Sequence, residues 1–342
     1  MRCPTLNELP PPPPGRAGWP WTDESSVLPD TMPDGRPWPK ISVVTPSYNQ
    51  GQFIEETIRS VLLQGYPNLE YIIIDGSSTD GSVEIIRKYE PWLAYWVSEP
   101  DGGQTQAINK GLERCTGQLF NWINSDDLLT RGALAIVASK IGDADCLAGA
   151  LEYFGGNTVR PPVVSRNYAP SALLLGRNSG YAQPSTWLRP GNVREIGLFN
   201  SEYQYVFDWE LTIRYVLRYP EVRYIPDVLV RFRLHEASKT GSQPAMCASE
   251  AARVLHAFRG MPEFARDRAA IDARIRWLQW RMQILQLQKA KGTRFSRFCR
   301  LMAAAICSPD PAFRRGSGLL HALLDCLTVG RRGNRSCPSS GA

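Results

Sequence analysis

Residues 119–128 read Leu-Phe-Asn-Trp-Ile-Asn-Ser-Asp-Asp-Leu, a short apolar run that stops at two adjacent carboxylates, Asp126 and Asp127. The run has the length and composition of a buried strand. Carboxylates have no packing reason to stand at the end of such a strand, because desolvating them is costly without a partner. Two readings are open. The pair caps a helix starting near Thr130, as Asp often does. Alternatively it holds a divalent cation that carries phosphate oxygens, since Mg²⁺ and Mn²⁺ favour one or two carboxylates plus substrate phosphates.

The surroundings favour the cation. Upstream, Ile41 to Thr45 is a β-branched strand, and Gln52 to Leu63 places Phe53, Ile54, Thr57, Ile58, Val61 and Leu62 at helical spacing. Leu69 to Ile74 is an almost wholly apolar strand, as expected of a parallel sheet covered on both faces. Helices are predicted at Ser82 to Tyr89, Gln104 to Cys115 and Arg131 to Ile141, and a strand at Leu93 to Val97. Alternation with short connections predicts a doubly wound α/β sheet. Ligands bind such sheets beyond the carboxyl ends of the strands. The loops at 45–51, 75–81 and 124–128 all fall at that edge, and all three are polar. A dinucleotide-binding domain would need G-x-G-x-x-G after the first strand. Thr45-Pro-Ser-Tyr-Asn-Gln-Gly51 has a single glycine, which argues against a dehydrogenase.

Four motifs in order, Val44-Thr-Pro-Ser-Tyr-Asn49, Glu70-Tyr-Ile-Ile-Ile-Asp-Gly-Ser-Ser-Thr-Asp80, Asp101-Gly-Gly-Gln-Thr-Gln-Ala-Ile-Asn-Lys-Gly111 and Asn124-Ser-Asp-Asp127, resemble the family 2 glycosyltransferases over roughly Lys40 to Ser242. The resemblance implies the GT-A fold, a Rossmann-like doubly wound mixed sheet, and a metal-dependent inverting hexosyltransferase that uses a nucleotide-diphosphate sugar. It implies that Pro46 and Tyr48 flank the base and that Asp75 accepts hydrogen bonds from base or ribose. Many relatives carry a second aspartate where this chain has Gly76. That departure leaves the base open, with a UDP-sugar first. Asp126 would contact ribose, metal or metal-bound water, and Asp127 would bind Mn²⁺ or Mg²⁺ and through it the diphosphate. Asp80 is assigned to turn formation. Gln104 and Asn109 either face the ribose or donor sugar or are solvated polar positions.

The second half resembles the acceptor side of relatives. In Ser179-Gly-Tyr-Ala-Gln-Pro-Ser-Thr-Trp187, Gln183 would hydrogen-bond, and Trp187 would offer a ring face to a sugar or pack in the core. Asp208 opens an apparent helix, where Asp is ordinarily an N-cap; the resemblance makes it the catalytic base, with Glu210 next in line. After an apolar strand, His235 and Lys239, among Arg231 and Arg233, would face the diphosphate leaving group.

Composition bounds the rest. The 342 residues are 43% hydrophobic and 21% charged, an ordinary globular mix. No apolar run of about 18 residues predicts a transmembrane helix, and no signal pattern opens the chain, so a cytoplasmic protein is expected. The 8 cysteines lack metal spacing and are expected as free thiols. Residues 1–39 form a Pro/Trp-rich lead, expected to lie on the domain surface through its tryptophans, with a proline-recognition ligand as the lesser reading. Residues 241–342 hold 17 of the 39 Lys and Arg but only 6 of the 33 Asp and Glu. Basic helices are expected over 243–330, then a disordered tail at 331–342. The helices either pack on the domain or lie peripherally on the inner face of the membrane, where Arg294, Arg297 and Arg300 alternate with Phe295, Phe298 and Leu301. A lipid-linked or glycan acceptor of a surface polysaccharide or glycolipid would suit that location. Nucleic acid is not expected as a partner, since the tail lacks a recognised module. A nucleotidyltransferase on a similar sheet, or an inactive sugar-nucleotide-binding protein, are the alternatives.

Overall fold

A computed structural model of the chain describes residues 1–156, 160–235 and 243–289. Four parallel strands, β1 (Ile41–Ser47), β2 (Leu69–Asp75), β3 (Tyr95–Ser98) and β4 (Leu119–Trp122), lie in the order β3-β2-β1-β4. Because strand side chains alternate between faces, Ile41, Val43, Leu69, Tyr71 and Ile73 pack into one core with Ile54, Ile58, Val61 and Leu62 of α1 (Ile54–Leu62). Val44, Ile72 and Ile74 are equally buried but point the other way. Helix α3 (Gln104–Arg114) covers that face, while α2 (Ser82–Lys88) follows β2. The approach of α3 is close: a Cβ on Gly111 would stand 2.5 Å from Val44 Cγ1, so the glycine of the Asn-Lys-Gly motif is there for space. The chain reverses its winding direction at β1, flanked by β2 on one side and β4 on the other, and a crevice opens at such a switch point.

The mixed character of the sheet comes from a second layer. β5 (Leu128–Leu129) follows the two aspartates directly, so the helix expected near Thr130 starts later, as α4 (Ala133–Lys140). β5 pairs antiparallel with β9 (Val222–Arg233), which runs parallel to β6 (Cys146–Phe154); β7 (Val163–Val164) and β8 (Thr186–Trp187) pair antiparallel with β6. The β5–β9 register, Leu128 opposite Arg231 and Leu129 opposite Val230, sets the end of β9 beside Asp126 and Asp127. Helices α5 (Pro170–Leu175), α6 (Pro190–Glu195) and α7 (Phe207–Arg218) connect β7 to β9.

The Pro/Trp-rich lead does more than lie on the surface. Trp21 and Trp38 are each only 5% exposed, and Leu69 N donates to Met1 O while Cys3 N donates to Tyr66 O. Ser26 O lies where a Cβ on Gly65 would stand (2.2 Å), and Gly65 has φ +64, so glycine is required there twice over. The clasp is Arg59 of α1, fully buried. Its Nε donates to Pro20 O at 3.0 Å, Nη1 to Pro10 O at 2.8 Å and Nη2 to Trp21 O at 3.0 Å. Nη1 also reaches Tyr89 Oη, which donates to Glu55. Arg59→Met keeps most of the stem volume but leaves buried carbonyls without donors, at about 1–3 kcal/mol each. A loss of roughly 3–5 kcal/mol is therefore expected in the midpoint of urea unfolding. A change below about 1 kcal/mol would show that the clasp contributes nothing.

Residues 1–238 form one compact unit and the remainder a second. In the second, α8 (Pro244–Arg259) and α9 (Arg268–Lys289) are joined through Pro262–Asp267, with Phe258 edge-on to Phe264 and Arg259 paired to Asp272. Among the described residues no helix is long and apolar enough to cross a membrane. Cys3, Cys115, Cys146 and Cys247 are free thiols. The expected membrane-facing helices of 290–330 and the tail of 331–342 lie outside the described residues.

Candidate active site

Beyond β4 the chain makes a tight turn: Asp127 N donates to Asn124 O at 3.0 Å. Asp127 is 1% exposed, and its oxygens accept from Arg233 N (Oδ1, 3.0 Å) and Asn124 Nδ2 (Oδ2, 3.1 Å). Burial pushes its carboxyl well above the ordinary carboxylate range, and the neighbouring Asp126 charge pushes it further. A second layer fixes the turn. Thr57 Oγ1 donates to Asp127 O at 2.8 Å, and Arg233 Nε donates to Asp126 O at 2.8 Å. His235 Nε2 lies 2.9 Å from Asp126 Oδ2, and since an ionised carboxylate only accepts, Nε2 carries the proton.

This arrangement sets aside the helix-cap reading, because the residues after the pair form a strand. It also fits a hard cation. A carboxylate offers about four acceptor sites, and each Asp127 oxygen has one protein donor. A divalent charge would relieve the repulsion between the two aspartates. Among the described residues no three His, Cys, Asp or Glu side chains converge as a ready-made cage. A cation that completes its shell with diphosphate oxygens and water needs none.

The expected nucleotide residues divide. Pro46 is buried in β1, and Tyr48, just beyond it, is 63% exposed. Gln104, at the start of α3, donates from Nε2 to Asn124 Oδ1 at 2.8 Å and so touches the aspartate turn. Asp75 is at the β2 end as expected, but its carboxylate is fully buried and taken up by the protein. Ser47 Oγ (2.9 Å) and Ser78 Oγ (2.6 Å) donate to Oδ1; Ser98 Oγ (2.6 Å) and Ser78 N (2.9 Å) donate to Oδ2. With four acceptor sites and four donors, Asp75 organises the loops and has nothing left for a ligand. Asp80 forms the turn expected of it with Ser82, and also takes Gly51 N at 2.8 Å, tying the 75–82 loop to the 47–51 loop.

Other expected contacts are taken up inside the protein. Asn109 is neither a sugar contact nor a solvated residue: its amide donates to Phe199 O at 2.8 Å and accepts from Phe199 N at 3.0 Å, a two-bond brace from α3 to the segment before α7. Gln183 is buried and donates to Trp122 O at 3.1 Å. Of the two readings open for Trp187 the structure takes core packing: it is fully buried in β8, with no ring face open to a sugar. Arg233 does not face a leaving group; its guanidinium pairs with Glu56 at 2.8 Å and stacks over Phe53 and Phe154. Arg231 is likewise committed, to Glu152 at 2.9 Å. Lys239 lies outside the described residues.

Asp208 is the second residue of α7, and Val206 is the N-cap, so Asp208 is not capping the helix. Tyr181 Oη stands 3.0 Å from Thr212 Oγ1 and 3.4 Å from Asp208 Oδ2. Burial and the Asp208 charge hold the Tyr181 phenol well above its ordinary range, so it stays a donor. Glu210 is removed as the reserve base: Arg214 grips both its oxygens, at 2.7 and 2.9 Å, while bonding Ile196 O and Leu198 O. The segment leading into α7 is held to the start of α3, where Thr105 Oγ1 donates to Tyr203 O at 2.9 Å. The aspartate turn, the α3 start and the segment that leads into α7 are thus connected. Sequence reasoning missed Thr57 and the positioning roles of Asn124 and Arg233, though Asn124 stood in the quoted motif.

A parallel sheet with a carboxylate pair beyond its switch point, joined to a second sheet that returns a histidine to the pair, is the GT-A glycosyltransferase architecture. Residues 42–203 match the model for glycosyl transferase family 2, and that segment is a family 2 glycosyltransferase domain. A glycosyltransferase of Rickettsia typhi is 27% identical over 218 residues, covering 60% of this chain and 67% of that one. A putative teichuronic acid biosynthesis glycosyltransferase of Bacillus subtilis is 42% identical over 92 residues, 26% of this chain and 36% of its own length. A further rickettsial relative is spanned over 37% of its length. Among solved structures, S. aureus TarS 1–349 with UDP-GlcNAc shares the fold with a TM-score of 0.59 at 17% identity, covering 86% of this chain and 92% of that one. The mannosyltransferase PcManGT of Pyrobaculum calidifontis, solved with GDP-Man and Mn²⁺, has a TM-score of 0.56 at 18% identity, covering 92% of each chain.

Proposed function

We propose that the domain transfers a hexosyl group from a nucleoside-diphosphate sugar, with inversion, to a hydroxyl acceptor in surface-polysaccharide or glycolipid synthesis. The observation that carries this reading is the buried Asp127 at the switch point, its charge opposed by burial and by Asp126, next to an edge that exposes Tyr48. Such a carboxylate is costly unless a cation uses it. The exposed Tyr48 ring suits stacking on a base. Asp126 and Asp127 would hold Mn²⁺ or Mg²⁺, which when bound neutralises charge on the leaving diphosphate. His235, protonated at Nε2 toward Asp126, orients that carboxylate. Asp208 would take the proton of the acceptor hydroxyl as its oxygen attacks the anomeric carbon from the face opposite the diphosphate. Support for the donor class comes from the UDP-GlcNAc and GDP-Man complexes of the two structural neighbours. The teichuronic acid relative supports a polysaccharide product. A lipid-linked acceptor would give the basic residues after 240 a membrane-surface role.

The test is a panel of nucleotide sugars with Mn²⁺ and a hydroxyl acceptor mixture, scored for nucleoside diphosphate. Release from one donor class is expected. Release of pyrophosphate instead would indicate a nucleotidyltransferase, and no release from any donor would sink the enzymatic reading.

A further inference from the structure

We propose that Asp101 reads the ring N–H of the nucleobase, and so restricts the donor to a uridine, thymidine or guanosine diphosphate sugar; this rests on the nucleotide-sugar reading above. The β1–β2 register sets Ser47 opposite Asp75, and Gly76 N donates to Ser47 O at 2.8 Å, so Tyr48 and Gly76 emerge side by side. A Cβ on Gly76 would stand 3.1 Å from Asp101 Oδ2 and 3.3 Å from Oδ1. The Gly76 φ lies outside the left-handed region, so space and not backbone conformation makes the glycine matter: it lets the Asp101 carboxylate sit down over the strand end. Asp101 is exposed, and Oδ1 is fixed by Gly103 N at 2.8 Å. Oδ2 accepts no hydrogen bond from any described residue. The nearby Lys110 is taken by Glu99. Asp75, the other carboxylate of this edge, is saturated by its four donors.

A base stacked on Tyr48 therefore meets one open carboxylate oxygen, and a carboxylate only accepts. Uracil and thymine offer N3–H, and guanine offers N1–H with its amino group beside it. Cytosine N3 and adenine N1 present lone pairs, which a carboxylate repels. The chemistry selects lactam bases and rejects the other two.

The experiment is calorimetric titration of UDP, GDP, CDP and ADP, each with Mn²⁺, into the full chain and into Asp101→Asn and Gly76→Ala. Wild type is expected to bind UDP or GDP at least about tenfold tighter than CDP and ADP. A hydrogen bond to a charged group is worth roughly 1.5–3 kcal/mol, or about ten- to a hundredfold. Since Asp101 is exposed, a loss near the lower end is expected for the preferred diphosphate in Asp101→Asn, with CDP gaining because an amide can donate to N3. Gly76→Ala, which crowds Oδ2, should weaken the same preference. The sign is diagnostic: removing a negative charge near a diphosphate would by itself tighten binding. A preferred-to-CDP ratio unchanged in Asp101→Asn overturns the role of Asp101 alone. Failure of wild type to bind any of the four overturns the nucleotide-sugar reading and this inference with it.

Discussion

Asp127→Asn is expected to abolish transfer while leaving the fold at least as stable as wild type. The two halves of this expectation have one cause. In the folded protein the Asp127 carboxylate is buried against Asp126, and both effects disfavour its charge. An amide of the same shape removes that charge and still accepts from Arg233 N through one oxygen, while its nitrogen faces Asn124, so the turn keeps its geometry once the Asn124 and Gln104 amides turn over to match it. Buried charges are often replaced by neutral groups at no cost or with a gain in stability. The function does not survive the same change. A cation at a leaving diphosphate supplies several kcal/mol of transition-state stabilisation, and each 1.4 kcal/mol is about tenfold in rate. Turnover should fall by at least roughly 10³-fold, and Mn²⁺ should no longer improve donor affinity. Thermal unfolding, donor titration with and without Mn²⁺, and turnover are the three readouts. Activity retained in Asp127→Asn, or in wild type after exhaustive chelation, would remove the metal role. A clear drop in the unfolding midpoint would instead mean that the carboxylate is a structural acceptor that the amide fails to replace.

The parallel sheet was legible because its strands are buried on both faces and read as unbroken apolar runs; Leu69 to Ile74 is the clearest. The second sheet was not, apart from the end of β9. β6 reads Cys-Leu-Ala-Gly-Ala-Leu-Glu-Tyr-Phe, rich in residues that favour helices, and its strand form comes from pairing with β9 across a large sequence separation. Two-residue strands such as β5 and β8 carry no period at all. At the site, the sequence located the polar loops but did not tell which polar group is already spoken for. Asn109, Gln183 and Asp75 look like ligand contacts from composition, and each is consumed by a partner distant in sequence: Phe199, Trp122, and Ser47 with Ser98. Trp187 stayed open between ring face and core because an aromatic beside polar residues reads alike in both settings; the structure takes the core. Lead residues were legible as unable to form helix or central strand, but the buried Arg59 that clasps them stands in the middle of a helix that gave no sign of it.

Asp208→Asn is expected to keep donor and metal binding and to lower turnover by roughly 10²–10⁴-fold, the range for loss of a general base. A hydroxyl is a weak nucleophile at neutral pH, and inversion brings it to the anomeric carbon opposite the diphosphate. The carboxylate pair is committed to cation and nucleotide in this reading, and Glu210 is locked in both Arg214 contacts. Asp208, at the first turn of α7 beside Tyr181, is the carboxylate given the base role in this reading. Val206 caps the helix, and Thr212 Oγ1 bonds the Asp208 backbone oxygen, which asparagine retains. A first-turn carboxylate adds about 0.3–1 kcal/mol through the helix dipole, and the unfolding midpoint is measured beside turnover so that a loss of fold is told from the loss of a base. The acidic limb of the pH–rate profile should disappear with the base. Tyr181→Phe provides the control for positioning. It removes the phenol hydroxyl that stands within reach of Asp208 and Thr212 but leaves the carboxylate, so it should cost far less turnover than Asp208→Asn and keep the acidic limb. If Asp208→Asn turns over near the wild-type rate, the residue serves only the helix start, and the acceptor proton leaves by a group other than any carboxylate of α7.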